Sequence, residues 1–170
     1  PVVLKEASSS HAKVTFSPAE ALKQLEEYEE ALGEYVKVLT EEPDNKGARL
    51  GKAETELPLA KKDLRDAGDI KSARSNTDDA RMLILSVFSV LMKKAEKGLT
   101  ADDLGLTLRA ILSLAWAFNM EGDITKEEGK DELPSVSVAA VIIKTLLEGK
   151  SSLKKGDWPI LLKAASTKAK

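Results

Sequence analysis

The residue types that most often carry enzyme chemistry are scarce in this sequence. His11 is the single histidine, and the chain has no cysteine. A general base must be oriented in a partly enclosed site, whereas His11 lies in a polar N-terminal stretch ahead of the first predicted helix. Ser-His and Cys-His nucleophile pairs, and zinc sites with several histidine or cysteine ligands, are therefore excluded or implausible.

Carboxylates are the remaining abundant groups, and their positions favour solvation and helix capping. They occur in charged runs such as Glu26-Glu27 and Asp102-Asp103, and no acid interrupts the apolar faces where a shifted pKa would be expected. The ten glycines are scattered and form no phosphate-binding loop. We therefore expect no catalytic, cofactor-binding or metal-binding residues, and a protein that is not an enzyme.

One acidic stretch, 119–128, is similar to the second half of an EF-hand calcium loop, with Gly122, Ile124 and Glu128 at compatible offsets. The first ligand position would be Ala117, which offers no side-chain oxygen, and calcium needs six or more oxygen ligands. We expect negligible calcium binding and a polar turn between helices. Residues 114–128 also resemble the acidic turn of tellurite-resistance-B-like helical domains, without a second copy of that motif.

The N-terminal half has the pattern of a helical hairpin. Ser17, Pro18 and Glu20 form a helix start, from which one apolar seam runs to near Pro43. A second seam runs from Leu50 to a terminator at Gly68, with a kink or break expected at Pro58. The first seam is the predicted partner-binding surface, and its residues are Leu22, Leu25, Tyr28, Leu32, Tyr35 and Leu39.

The second half is more apolar. After an unpatterned stretch at 69–77, the sequence predicts a buried helix around 82–92, a helix capped by Thr100, a helix capped by Ser135 and ended at Gly149, and a last short helix from Asp157. The predicted central core consists of Leu85, Phe88, Ile111, Leu112, Trp116, Ile142 and Leu146.

These patterns predict an all-α fold, a helical bundle of about five to seven helices with an N-terminal antiparallel helical hairpin. We divide the chain into an extended N-terminal arm (1–16), the hairpin (17–68), a linker (69–77) and a helical core bundle of one or two closely packed units (78–170). No apolar run reaches the ~20 residues that span a bilayer.

Charge is uneven although the chain's net charge is only -2. Residues 1–58 carry seven basic and twelve acidic side chains, whereas residues 144–170 carry seven lysines and two acids. Lysines beside one tryptophan can bind single-stranded nucleic acid through phosphate contacts and stacking. The residues of this alternative site are Lys150, Lys154, Lys155, Trp158, Lys163 and Lys168.

The leading hypothesis is a non-enzymatic helical protein-protein interaction or scaffolding module that self-associates. The alternative is a nucleic-acid-packaging or viral nucleoprotein-type module that uses the basic C-terminal end. We expect a cytoplasmic protein with protein partners, a homo-oligomer above all, and with no cofactor, membrane partner or small-molecule substrate.

Overall fold

The computed structural model describes residues 18–95, 98 and 100–130. These residues form helices joined by short turns, with no strand among them, so the predicted all-α fold is confirmed. The helices are α1 (18–24), α2 (Tyr28–Glu41), α3 (Lys46–Lys62), α4 (Ile70–Ala95) and α5 (Ala101–Glu127), with a π-helical segment at Asp63–Ala67 after α3. No helix in the described part of the chain is long and apolar enough to cross a membrane.

The first predicted helix is divided into α1 and α2 by a turn at 25–27. Glu26 adopts a left-handed conformation with φ of 62°. The amide of Glu27 donates to the Leu22 carbonyl at 3.0 Å and that of Glu26 to the Lys23 carbonyl at 3.2 Å, which is the Schellman pattern that ends a helix. The prediction of a single helix to Pro43 was wrong, because a glutamate occupies the position where a glycine would have marked the turn.

Helix α3 lies at the centre of the fold and packs against α2, α4 and α5. Asn45 caps its start, with its side chain accepting from the Ala48 amide at 2.9 Å. The helix continues through Pro58 without the break that was considered for that position. The following π-helical segment ends at Gly68, whose φ of 63° confirms the predicted terminator.

The stretch predicted as a linker, 69–77, is helical from Ile70 onward and forms the first turns of α4. The Asp69 side chain accepts a hydrogen bond from the Ser72 amide at 2.9 Å, as a helix cap does. Ala73 and Thr77 are buried on the core side. Because these buried side chains are small or polar, the segment lacked the apolar periodicity by which a helix is recognised in a sequence.

Helix α5 begins as predicted at Thr100, which forms a reciprocal capping box with Asp103. It then runs without interruption to Glu127, so the prediction of a polar turn at 119–128 was wrong. Gly122 and Ile124 are buried against the core, which holds this polar stretch in the helix. Gly129, with φ of 71°, follows the helix end.

The main core lies where α3, α4 and α5 meet. Phe88 and Ile111 are buried there and Leu85 packs against them, as predicted. Leu112 and Trp116, which were assigned to the same core, lie instead on the exposed side of α5. The predicted core residues Ile142 and Leu146 lie outside the described residues.

Candidate interaction surface

An apolar row runs along the exposed side of α5. Leu104, Leu108, Leu112 and Trp116 are 52%, 54%, 57% and 38% exposed. Residues four apart in a helix lie on nearly the same side, so these side chains form one continuous row about 18 Å long at 1.5 Å per residue. The opposite side of α5, with Ala110, Leu114 and Phe118, is buried in the core. Helix α5 is therefore apolar on two faces, of which the described part of the chain covers one.

The row is also free of charge. From residue 104 to residue 119, the exposed positions of α5 are Leu104, Gly105, Leu108, Leu112, Trp116 and Asn119. Exposed helix positions of soluble proteins are mostly polar or charged, as they are on α2, where Glu29, Glu30 and Glu41 are exposed. A Cβ atom placed on Gly105 would meet nothing within 4 Å, so another backbone can approach the row there.

A groove of about 380 Å³ opens beside the Trp116 end of the row, between α5, α3 and the turn after α1. Its floor is polar and its walls are mainly apolar. The residues that line it are Lys23, Tyr28, Glu54, Pro58, Leu112, Ser113 and Trp116.

The polar floor is an ion-pair cluster around Glu54. Arg109 donates to both carboxylate oxygens, at 3.1 Å to Oε1 and 2.7 Å to Oε2. Lys23 Nζ donates to Oε2 at 3.1 Å, and the Ser113 hydroxyl lies 3.3 Å from Oε1. Burial alone would raise the pKa of Glu54, but the hydrogen bonds and charges of Arg109 and Lys23 outweigh it and hold this pKa below its ordinary value. The cluster thus joins α1, α3 and α5 beneath the groove.

A second carboxylate completes the charge balance of the cluster. Glu20 lies 2.7 Å from Lys23 and 3.7 Å from Arg109. Two acids therefore face two bases, and no single charge is left to attract an ion. In the described residues, no group of three or more histidine, cysteine, aspartate or glutamate side chains is placed to hold a metal ion.

The seam predicted to bind a partner is mostly occupied by the chain's own packing, and its role in partner binding stays a prediction. Tyr35 is fully buried, and Leu39 packs against it in a small cluster with Ala19, Val38 and Ala48. Leu22, Tyr28 and Leu32 are half-buried. Leu25 alone among the seam residues is strongly exposed, at 68%, because it lies in the turn that separates α1 from α2.

The residues of the nucleic-acid alternative, from Lys150 to Lys168, lie outside the described residues, as does His11. That alternative stays a prediction from the sequence. The α5 row was visible in the sequence as apolar residues, but the spacing alone did not show that they form a second face. A helical-wheel projection of α5 shows apolar residues on more than one side of the helix. That distribution is typical of a helix that is packed against other elements on two sides.

Comparison of the chain with protein-family models, with curated proteins and with solved structures gives no significant match. The inference of function therefore depends on the chemistry and geometry of these surfaces.

Proposed function

We propose that this protein is a non-enzymatic helical interaction module that self-associates through the apolar row of α5. The observation that carries the proposal is the absence of charge at the exposed α5 positions between 104 and 119, together with the half-exposed Leu104, Leu108, Leu112 and Trp116. Contiguous exposed apolar side chains on soluble proteins mark sites of protein contact.

The row suits a second copy of itself. In a two-fold symmetric dimer the same patch meets itself, so any charge near the axis would face a like charge. The four side chains of the row are uncharged, and Arg109, the charged side chain beside them on α5, is paired with Glu54. The leucines, at a spacing of four, form a ridge that can pack beside the ridge of an antiparallel α5. Gly105 lets the two helix backbones come close, and Trp116 supplies the kind of large aromatic anchor that often dominates binding energy.

The test is sedimentation velocity of the full chain over a range of concentrations. We expect reversible dimers that are lost in a Leu108→Glu, Leu112→Glu variant, because two desolvated carboxylates would oppose each other across the interface. The matched control is Met82→Glu, Val90→Glu, which places the same charges at exposed apolar positions of α4.

The control should dimerise like the native chain. A native chain that stays monomeric at every concentration would overturn the proposal. Equal loss of dimers in both variants would also overturn it, since the effect would then come from added charge and not from the α5 row.

A further inference from the structure

We infer that residues 135–149 of the same chain cover the apolar row of α5 in the monomer, so that a second copy must displace them. Residues 135–149 thus occupy the row before any second copy does. This inference rests on the proposed function only where it concerns competition between this segment and a second copy.

The described chain ends in a turn that can direct the following residues back along α5. Helix α5 closes at Glu127 with a Schellman turn, in which the Lys130 amide donates to the Thr125 carbonyl at 2.9 Å and the Gly129 amide to the Lys126 carbonyl at 2.9 Å. The sequence predicts the next helix to start after Ser135. Seven residues, 128–134, then connect the two helices, a length typical of neighbouring antiparallel helices. A helix that turns back at this point runs along α5 toward Leu104.

Residues 135–149 match the row in length and in the spacing of their apolar side chains. A helix over 135–149 would be about 22 Å long, against about 18 Å for the row. Val138, Ile142 and Leu146 repeat every four residues, the same spacing as the row. At 100° per residue, Ser137, Lys144 and Glu148 fall on the other side of such a helix. The segment therefore has an apolar face of the size that the row requires. Its other side carries these polar residues together with Val136 and Leu147.

The short connection also gives residues 135–149 a high effective concentration at the row. A segment tethered by a short connection is present at its site at roughly millimolar effective concentration. A second copy at lower concentration competes poorly with it. Both copies must have an uncovered row before they can dimerise. The apparent dissociation constant for dimers is then the intrinsic constant divided by the square of the fraction of chains whose row is uncovered.

The experiment uses Trp116 as the reporter, in full-length chains that carry Trp158→Phe so that one tryptophan remains. Acrylamide quenching and the emission maximum are measured in dilute solution and again at rising concentration. Trp116 should be shielded and blue-shifted at the lowest concentration, with no dependence on concentration.

A Val138→Glu, Ile142→Glu change should then raise the quenching constant several-fold and shift the emission to the red. The matched control, Ser137→Glu with Lys144→Gln, changes the net charge by the same two units on the polar side and should leave Trp116 shielded. Far-ultraviolet circular dichroism checks that every variant remains folded.

The inference is overturned if Trp116 is as accessible before the Val138→Glu, Ile142→Glu change as after it. It is also overturned if shielding grows with concentration, because the occupant would then be a second copy. Sedimentation of the same samples separates this outcome from the proposed function. Shielded monomers that never dimerise would sustain the inference and refute self-association, whereas dimers with an accessible Trp116 in dilute solution would do the reverse. If both hold, Val138→Glu, Ile142→Glu should tighten dimerisation by about tenfold or more.

Discussion

Gly51 should be a position where alanine destabilises the protein, although it lies inside a helix. A Cβ atom at Gly51 would lie 2.5 Å from Cζ and 2.6 Å from the hydroxyl oxygen of Tyr35, and would contact the ring carbon Cε1 as well. Tyr35 is fully buried, so its ring cannot avoid the clash by moving out into solvent without leaving the core. The close approach of α2 to α3 therefore requires glycine, which has no side chain, at position 51.

Two effects of opposite sign decide the magnitude. Replacing glycine by alanine within a helix stabilises by about 0.5–1 kcal/mol. Overpacking a filled core costs typically about 1–3 kcal/mol, and the short distances here favour the upper part of that range. The expected net effect of Gly51→Ala is thus a loss of roughly 1–2 kcal/mol. Gly33→Ala provides a matched control, since Gly33 is inside α2 and a Cβ atom there would meet no other group within 4 Å.

The measurement is urea denaturation followed by circular dichroism, in which Gly33→Ala should raise the free energy of unfolding and Gly51→Ala should lower it. A Tyr35→Leu background removes the ring and should abolish the penalty at Gly51, which a double-mutant cycle would show as a coupling energy. If Gly51→Ala stabilises the chain as much as Gly33→Ala does, the packing of α2 on α3 is not as described.

Three further changes test the core and its buried carboxylates by the same unfolding assay. Phe88→Ala should cost roughly 3–5 kcal/mol because Phe88 is 3% exposed, while Met82→Ala, at 67% exposed, should cost under about 0.5 kcal/mol; similar losses would contradict the assigned burial. Glu56 is buried, and within the described part of the chain its Oε2 has no hydrogen-bond partner; burial raises its pKa, with Lys52 opposing and Asp79 adding to the shift. Its charge therefore costs stability at neutral pH, and this cost disappears as the pH falls through the raised pKa. Glu56→Gln should raise the free energy of unfolding at pH 7 by up to about 1 kcal/mol, a gain that shrinks in acid, and a gain independent of pH would refute this reasoning. The pKa shift of Glu54 has the opposite sign, because this pKa is lowered. The ionised Glu54 side chain therefore stabilises the fold at pH values above the ordinary glutamate pKa, and this contribution is lost as the pH falls through the lowered pKa. Glu54→Gln should cost roughly 1–3 kcal/mol at neutral pH, and no loss there would mean that the ion-pair cluster does not hold the helices together.

Sequence reasoning succeeded where one residue type determines the backbone. Thr100 with Asp103 and the left-handed Gly68 are signals of this kind, and the structure has a helix start and a helix end where they predict them. It failed where a residue other than glycine adopts the left-handed conformation that ends a helix, as Glu26 does in the turn between α1 and α2. Propensity could not identify that turn, because tertiary contacts select it: it brings Lys23 to the Glu54 carboxylate on α3.

The candidate site was harder to predict than the fold. The sequence correctly identified Leu112 and Trp116 as members of an apolar helix but assigned them to the core with Phe88. Periodicity shows which residues share a side of a helix, whereas the burial of that side depends on which other helices lie next to it. Helix α5 has apolar residues on two sides, so no count of spacings could decide which side meets α3 and α4.

Burial of the exposed row would release a free energy that is large compared with the stability of the fold. Burying a leucine or an aromatic side chain completely gains about 1.5–3 kcal/mol relative to leaving it exposed. Leu104, Leu108, Leu112 and Trp116 are each roughly half exposed, so covering all of them is worth about 3–6 kcal/mol. Domains of this size are stable by only about 5–15 kcal/mol. A segment or second copy that covered the row would therefore contribute an energy comparable with the stability of the fold, and binding through this row would couple association to the stability of the protein.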